Sequence, residues 1–442
     1  METSAQAASV QADPYEELYE DLDRLAGQVA PEVIEWRHHL HQHPELPNRE
    51  QNTAKYVAAH LEDLKLDEVR TGIAGHGVVG VLRGGAPGGR VMALRADIDA
   101  LPVKERAEAE FASAVTDEDY PGGPFPVAHA CGHDCHTAML MGAASVLAEM
   151  RHRLPGTVLF VFQPAAAGPP PDEQGGAAQM EAEDALADPA PTMVYGHHVA
   201  PLPKGYVGYR AGNQYGASCM IKIVVSGEQV HGSTPWRGTD PMPAAAEIIS
   251  AIGQLYRQVN AFDPVTISIG HLEDAGRFNI IGGRVTLWGT IRCAIESDMK
   301  SVQRVLARTA GNMAQAYGCT AKTEYLQDVP AVHNDPAWVG ATLPTLERTA
   351  GPGKVVVTPP TLGYDDVSVF VNKYGGLYVM LGVQDVEYAD GELREVPGGR
   401  GLVVNHNPGF YADDSVLVTG VRLHAAVAVG HLAGRISGPP RI

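Results

Sequence analysis

His129-Ala130-Cys131-Gly132-His133-Asp134-Cys135-His136-Thr137 sets two thiols, three imidazoles and a carboxylate on one short stretch. Cys131 and His133 are two apart, so in an extended or turn backbone their side chains can project to one side. A thiolate beside an imidazole suits a borderline-soft divalent ion such as zinc. The blander reading is a histidine-rich helix start with Thr137 as its cap; the density of ligand types favours the metal. Two donors do not close a metal site, so others must come from elsewhere in the chain.

Buried elements must hold this stretch in place. The apolar run at 138–150 follows at once and reads as a buried helix. Upstream, 78–82 and 90–95 are apolar runs bounded by Gly and Pro, hence buried strands. The second runs into Ala96-Asp97-Ile98-Asp99, carboxylates at a strand end, where open α/β sheets keep their sites. Downstream, the strand at 156–162 leads into Gln163-Pro164-Ala165-Ala166-Ala167-Gly168, and the strand at 192–198 ends in His197 and His198. The ends at Asp97, Ala166 and His198 are expected to meet the Cys131 loop at one sheet edge. Ahead of them, 15–43 has helical spacing of Leu and Val and should stop at His43-Pro44, and a second helix covers about 52–64. His38, His39, His41 and His43 invite a ligand reading, but most of them read as the polar end of that first helix.

From about Ala211 the pattern changes. Strand 219–226, helix 241–259, strands 265–271 and 284–293, helix 298–317 and strand 320–326 give the order β-α-β-β-α-β, the split ferredoxin-like motif. The expected division is therefore a catalytic domain over 15–210 and 330–435 with a lid inserted at 211–329. The second catalytic part returns to helices at 336–349 and 366–374, a strand at 377–383 and a last helix from Asp413. Asn405-His406-Asn407-Pro408 sits just before that helix.

Hydrophobic residues at 45% and charged residues at 19% of 442 describe an ordinary globular chain with room for two or three domains. A net charge of −19 argues against nucleic acid and anionic membranes as partners, since both call for basic patches. Five cysteines are too sparse for a disulfide framework and fit a reducing, cytoplasmic setting. Met1 to Pro14 lacks the apolar core of a signal peptide. No apolar run is expected to reach the ~20 residues of a membrane span.

Six segments in order carry a resemblance: His41-Gln42-His43-Pro44-Glu45-Leu46, Arg95 to Pro102, His129 to Thr137, Phe162-Gln163-Pro164-Ala165, Val230-His231-Gly232-Ser233-Thr234-Pro235 and Asn405-His406-Asn407-Pro408. Together they resemble the aminoacylase and carboxypeptidase family of metal-dependent amidohydrolases, in the branch with hippurate hydrolase and the plant auxin-conjugate hydrolases. The resemblance implies an α/β, zinc-peptidase-like catalytic domain with an inserted ferredoxin-like α+β lid. It also implies two divalent ions (zinc, manganese, cobalt or nickel), a homodimer through the lid, and an N-acyl amino acid, dipeptide or similar small amide as substrate. Carried over residue by residue, it makes Cys131, His133, His198 and His406 metal ligands, His198 being preferred to His197 because it fits a Gly-x-His pattern. Asp97 and Asp99 resemble acids that orient ligands. His231 and Asn279 would stabilise the oxyanion, with the histidine reaching the partner subunit's site, and Arg292 would clamp the substrate carboxylate.

One departure stands out. Relatives read Gln-Pro-Ala-Glu-Glu-Gly where this chain has Gln163-Pro164-Ala165-Ala166-Ala167-Gly168. In the family the first glutamate is the general base that takes a proton from the attacking water and returns it to the leaving amine, and the second binds metal. Ala166 and Ala167 do neither, while the other matched positions are intact. Decay would scatter its losses. Two adjacent carboxylates both replaced by alanine read as a targeted substitution in an active enzyme, leaving little or no activity and reduced metal occupancy. A natural relative that binds ligand without hydrolysis, or one that performs acyl transfer or condensation, is the alternative.

Overall fold

A stripe of Leu18, Leu22, Val29, Val33 and Leu40 is buried along one side of α1 (Glu16–Gln42), which ends just before Pro44. In this computed structural model, which describes residues 16–439, the chain then runs through α2 (Gln51–Asp63), β1 (Glu68–Ile73), β2 (Gly77–Arg83), β3 (Ala86–Asp97), α3 (His133–Glu149), β4 (Pro155–Gln163), β5 (Met193–Pro203) and β6 (Val207–Tyr209). Next come β7 (Ala217–Ser226), α4 (Pro241–Leu255), β8 (Val265–Asp274), β9 (Arg284–Cys293), α5 (Glu296–Ala316) and β10 (Thr320–Val329). The last elements used here are α6 (Pro336–Ala350), β11 (Val355–Val357), α7 (Ser368–Tyr374), β12 (Gly376–Gln384) and α8 (Leu417–Leu432). The Met1 to Pro14 segment lies outside the described residues.

The large sheet has the order β1-β2-β4-β3-β5-β12-β6-β11. β4, β3, β5 and β12 are mutually parallel, so Gln163, Asp97 and the imidazoles of β5 emerge in one direction on neighbouring strands. Val91 to Asp97 is buried throughout because helices cover both faces, as parallel sheets require. α1, α3, α6 and α8 pack on one face around Leu22, Val33, Met139, Leu147, Leu346 and Val427. α7 covers the other face around Phe370 and Tyr378.

β7 to β10 form a separate antiparallel sheet in the order β8-β9-β7-β10, with α4 and α5 closing its own core around Ile221, Ile248, Leu287 and Leu306. That strand order is the ferredoxin-like arrangement, so the fold is an α/β catalytic domain with an inserted α+β lid. Ile221 to Val225 and Val91 to Leu94 share no sheet.

Three local expectations change. α3 starts at His133, so Thr137 is no cap; its Oγ1 donates to the Asp97 carbonyl at 3.0 Å. β5 does not end at His198 but continues to Pro203, held by β12. The segment Asp414–Leu432 is apolar and long enough to cross a membrane by composition, yet 78% of it is buried against the other helices and the sheet.

Candidate metal centre and substrate cleft

Gly132 makes the turn that brings Cys131 to the sheet. Its φ of 85° lies in the left-handed region, and a Cβ there would meet Val199 Cγ2 at 2.3 Å. α3 then begins with buried polar residues that find partners far away in sequence. Asp134 accepts from Arg37 Nε at 2.8 Å and pairs with His41 Nδ1 at 2.7 Å, both from α1. His41, 4% exposed, also meets Glu105 at 2.8 Å. It anchors the loop and is not a ligand.

The donor atoms gather at the strand ends. Cys131 Sγ lies 3.4 Å from His198 Nε2 and 3.2 Å from His406 Nε2. Cys131, His133 and His198 present donor atoms all within 4.8 Å of one another. His133 Nδ1 is 2.9 Å from Asp99 Oδ1, and His198 Nδ1 is 2.7 Å from the Val199 carbonyl, so each ring turns its Nε2 toward the thiol. His406 sits at φ 69°, its N–H donating to the Ala130 carbonyl at 2.8 Å. Asn405 Nδ2 donates to the carbonyls of Cys131 and Val199, both at 3.2 Å, which pins that segment over the Cys131 loop.

Burial works against charge here, but the imidazoles of His198 and His133 hold the Cys131 thiol well below its usual range. Burial likewise opposes protonation of His198, and the neighbouring Cys131 thiolate outweighs it, raising the imidazole to about 9. The two shifts favour a thiolate at Cys131 beside a protonated His198, and a cation binding there would displace the proton.

Asp97 and Asp99 pair with the rings of His136 and His133, and Asp97, His133 and His136 bring their donor atoms within 4.8 Å of one another as a second group. Asp97 Oδ1 is 2.6 Å from His136 Nδ1, and its Oδ2 accepts from Arg95 at 2.8 Å. Asp99 Oδ2 accepts the Ala167 N–H at 2.8 Å. Ala166 and Ala167 can offer only methyl groups and no side-chain oxygen to the cleft they line.

Both alanines, His406 and Arg292 line a cleft of about 1000 Å³ between catalytic domain and lid. Arg292 stacks its guanidinium 4.2 Å from the Tyr364 ring centre and donates to Ser218 Oγ. The Tyr364 hydroxyl in turn donates to the Ala167 carbonyl at 2.8 Å. His231 and Asn279 lie elsewhere: both are exposed on the lid, joined through the Gly232 N–H donating to the Asn279 carbonyl at 2.9 Å, and neither lines the cleft.

Several residues of this site were not singled out in sequence. Arg95 is fully buried among Asp97, Asp365 at 3.1 Å and Asp366 at 3.2 Å, tying β3 to the segment before α7. Glu50 is fully buried, with Oε1 accepting the Ala165 N–H at 2.7 Å. Tyr364 gave no sequence signal, nor did Glu50 in the polar stretch Asn48 to Asn52; Arg95 stands at the end of an apolar strand and opens the segment Arg95 to Pro102, without a role of its own being read from it.

This is the architecture of a metal-dependent peptidase or amidohydrolase. Residues 93–429 match Peptidase family M20/M25/M40, and the chain belongs to that family. It is 34% identical over 405 residues, 91% of this chain and 96% of the relative, to the probable hydrolase sll0100 of Synechocystis. It is 29% identical to the Arabidopsis thaliana IAA-amino acid hydrolase ILR1-like 2, over 92% of this chain and 88% of that one. Among solved structures, the Bacillus subtilis YXEP protein, described as a dinuclear metal binding peptidase, superposes with a TM-score of 0.70 at 28% identity, covering 92% of this chain and 99% of that one.

Proposed function

We propose that this chain binds a small amide bearing a carboxylate, such as an N-acyl amino acid or dipeptide, and hydrolyses it slowly or not at all. Members of the family act on amide bonds with metal assistance, and the metal supplies Lewis acidity toward the scissile carbonyl. The remaining work falls to side chains. Arg292, held flat by Tyr364 and Ser218, offers a planar fork to a carboxylate. The lid closes one wall of the cleft through Ser218, Met220 and Thr290 and so limits water. The place where a carboxylate would receive and return a proton holds the Ala166 methyl group.

That methyl group at the cleft wall is the observation that carries the proposal. General-base catalysis contributes roughly a hundred- to ten-thousand-fold, and alanine supplies none of it. Loss of the second carboxylate at Ala167 lowers metal occupancy as well. The expectation of a homodimer through the lid extends the reading: Trp236 and Phe278 are 75% and 100% exposed at the end of the lid that carries His231 and Asn279, and β8 is an open sheet edge. A cytoplasmic location accords with five unpaired thiols.

Calorimetric titration with an N-acyl amino acid panel tests the proposal. Binding without product, and its loss with the matching N-acyl amine that lacks the carboxylate, is expected. Rapid hydrolysis by this chain, or equal binding of the amine, would sink it.

A further inference from the structure

His197 and His424 are buried imidazoles that the Cys131 centre and the cleft leave unused. Successive residues of a strand project to opposite faces. His198 turns to Cys131, and His197 turns into the layer formed by α3 and α8. His197 is 2% exposed and His424, on α8, is 1% exposed. Both nitrogens of His197, Nδ1 of His424 and the Tyr195 hydroxyl have no hydrogen-bond partner among the described residues. Buried polar atoms are as a rule satisfied, and each exception calls for a cause.

These groups face one another. The rings of His197 and His424 have centres 4.2 Å apart, with planes at 40°. Tyr195 stands at one side, its ring centre 5.5 Å from that of His424. A thioether joins them. Gly420, one turn before His424 on α8, leaves a notch in which a Cβ would meet Met139 Sδ at 1.9 Å and His197 Nε2 at 2.9 Å. Sulfur and imidazole nitrogen therefore meet at the same spot, and any side chain at 420 would fill it. That accounts for a glycine inside a helix, where glycine is otherwise disfavoured.

The chemistry of this set differs from that of the Cys131 centre. Met139, His197 and His424 bring no thiolate and no carboxylate. Asp97, whose charge reaches His197, is held by Arg95 and His136. Burial pushes the His424 imidazole down to about 3, so it is neutral with a lone pair to give. A divalent ion would bring two uncompensated charges into an apolar layer, and burying unpaired charge is costly. A monovalent ion brings one. Thioether sulfur is a donor that selects copper(I), and imidazole suits copper as well.

We propose that Met139, His197 and His424 form a further metal site, for a soft monovalent ion of the copper(I) or silver(I) type, buried between β5, α3 and α8. The site shares no donor with the Cys131 centre. An ion held there joins the strand that carries His198 to both helices.

Silver(I), which is stable in air, is the probe. Full-length chain labelled with carbon-13 at the methionine methyl groups is titrated with silver nitrate in chloride-free buffer, alongside Met139→Leu, His424→Leu and Cys131→Ser. The methyl signal missing from Met139→Leu identifies Met139. That signal should shift as silver is added, and should shift likewise in Cys131→Ser, where the competing thiolate is gone. Loss of a partner one shell beyond the donors costs about 10–100-fold in metal affinity. Loss of a donor in His424→Leu should therefore move the midpoint of the shift to at least about tenfold higher silver. Leucine there replaces an unpartnered buried imidazole, so His424→Leu should melt no lower than the parent without metal, which separates a lost donor from a lost fold. A Met139 signal that silver leaves in place, a midpoint unchanged in His424→Leu, or a shift that disappears in Cys131→Ser would each overturn the proposal.

Discussion

Replacing Glu50 with glutamine should flatten the pH dependence of the fold's stability. Glu50 is fully buried, its Oε2 has no partner, and burial, reinforced by the Asp99 carboxylate, raises it from an ordinary 4.5 to about 8. A carboxyl that holds its proton more tightly folded than unfolded stabilises the fold while protonated. That contribution is complete below about pH 4.5 and lost as pH rises through about 8. At about 1.4 kcal/mol per pH unit, the gap amounts to about 5 kcal/mol at most. Glutamine keeps the Oε1 acceptor for the Ala165 N–H and cannot ionise. For a chain of this size, about 1–2 °C per kcal/mol follows from the size trend of melting temperatures. The assay is a series of thermal melts from pH 5 to pH 8 on metal-free protein, so that titration of the metal ligands is common to both chains. About 3.5 kcal/mol of that gap falls between pH 5 and pH 8, so the parent should lose about 4–7 °C relative to Glu50→Gln across that range. Parallel curves would refute the reasoning and would mean that Glu50 stays ionised.

Other outcomes follow from the same geometry. Arg292→Leu removes a charge-assisted clamp worth about 1.5–3 kcal/mol, so carboxylate-bearing ligands should bind roughly 10–100-fold more weakly by calorimetry while neutral amides are unaffected. Gly132→Ala forces a Cβ against Val199 at 2.3 Å in a left-handed turn, and should cost about 1–3 kcal/mol in thermal stability and reduce metal uptake together. Sedimentation at micromolar concentration should find a dimer, and a monomer there would remove the lid-mediated assembly.

How much of this was legible depends on where the partners lie. The strands at 78–82 and 90–95 show in sequence because a parallel sheet buried on both faces reads as an unbroken apolar run. The lid shows because its period switches between strand and helix in a closed order. Cys131 and His133 declare themselves by donor chemistry; His406, alone in a polar loop, is visible only through resemblance. The start of α3 was hidden because His133 to Thr137 look like solvent-facing polar residues. They are buried by partners such as Arg37, 97 positions away from Asp134. Arg95 meets Asp366 across 271 positions, a distance no local pattern spans. β5 runs past His198 to Pro203 because its parallel pairing with β12 continues there, a partner that no local pattern shows.

The central claim, that hydrolysis is silenced by two missing carboxylates in an otherwise complete site, is tested most directly by returning them. This chain, Ala166→Glu, Ala167→Glu and the double variant are each assayed for bound metal and for hydrolysis of an N-acyl amino acid panel. The two losses act on one unit and should not add. Ala167→Glu should recover metal before turnover, Ala166→Glu alone should recover little, and the double variant should hydrolyse at least about a hundredfold faster than this chain. A double variant that binds two ions and hydrolyses nothing, while this chain turns over a substrate, would contradict the claim and make the alanine pair part of a different activity.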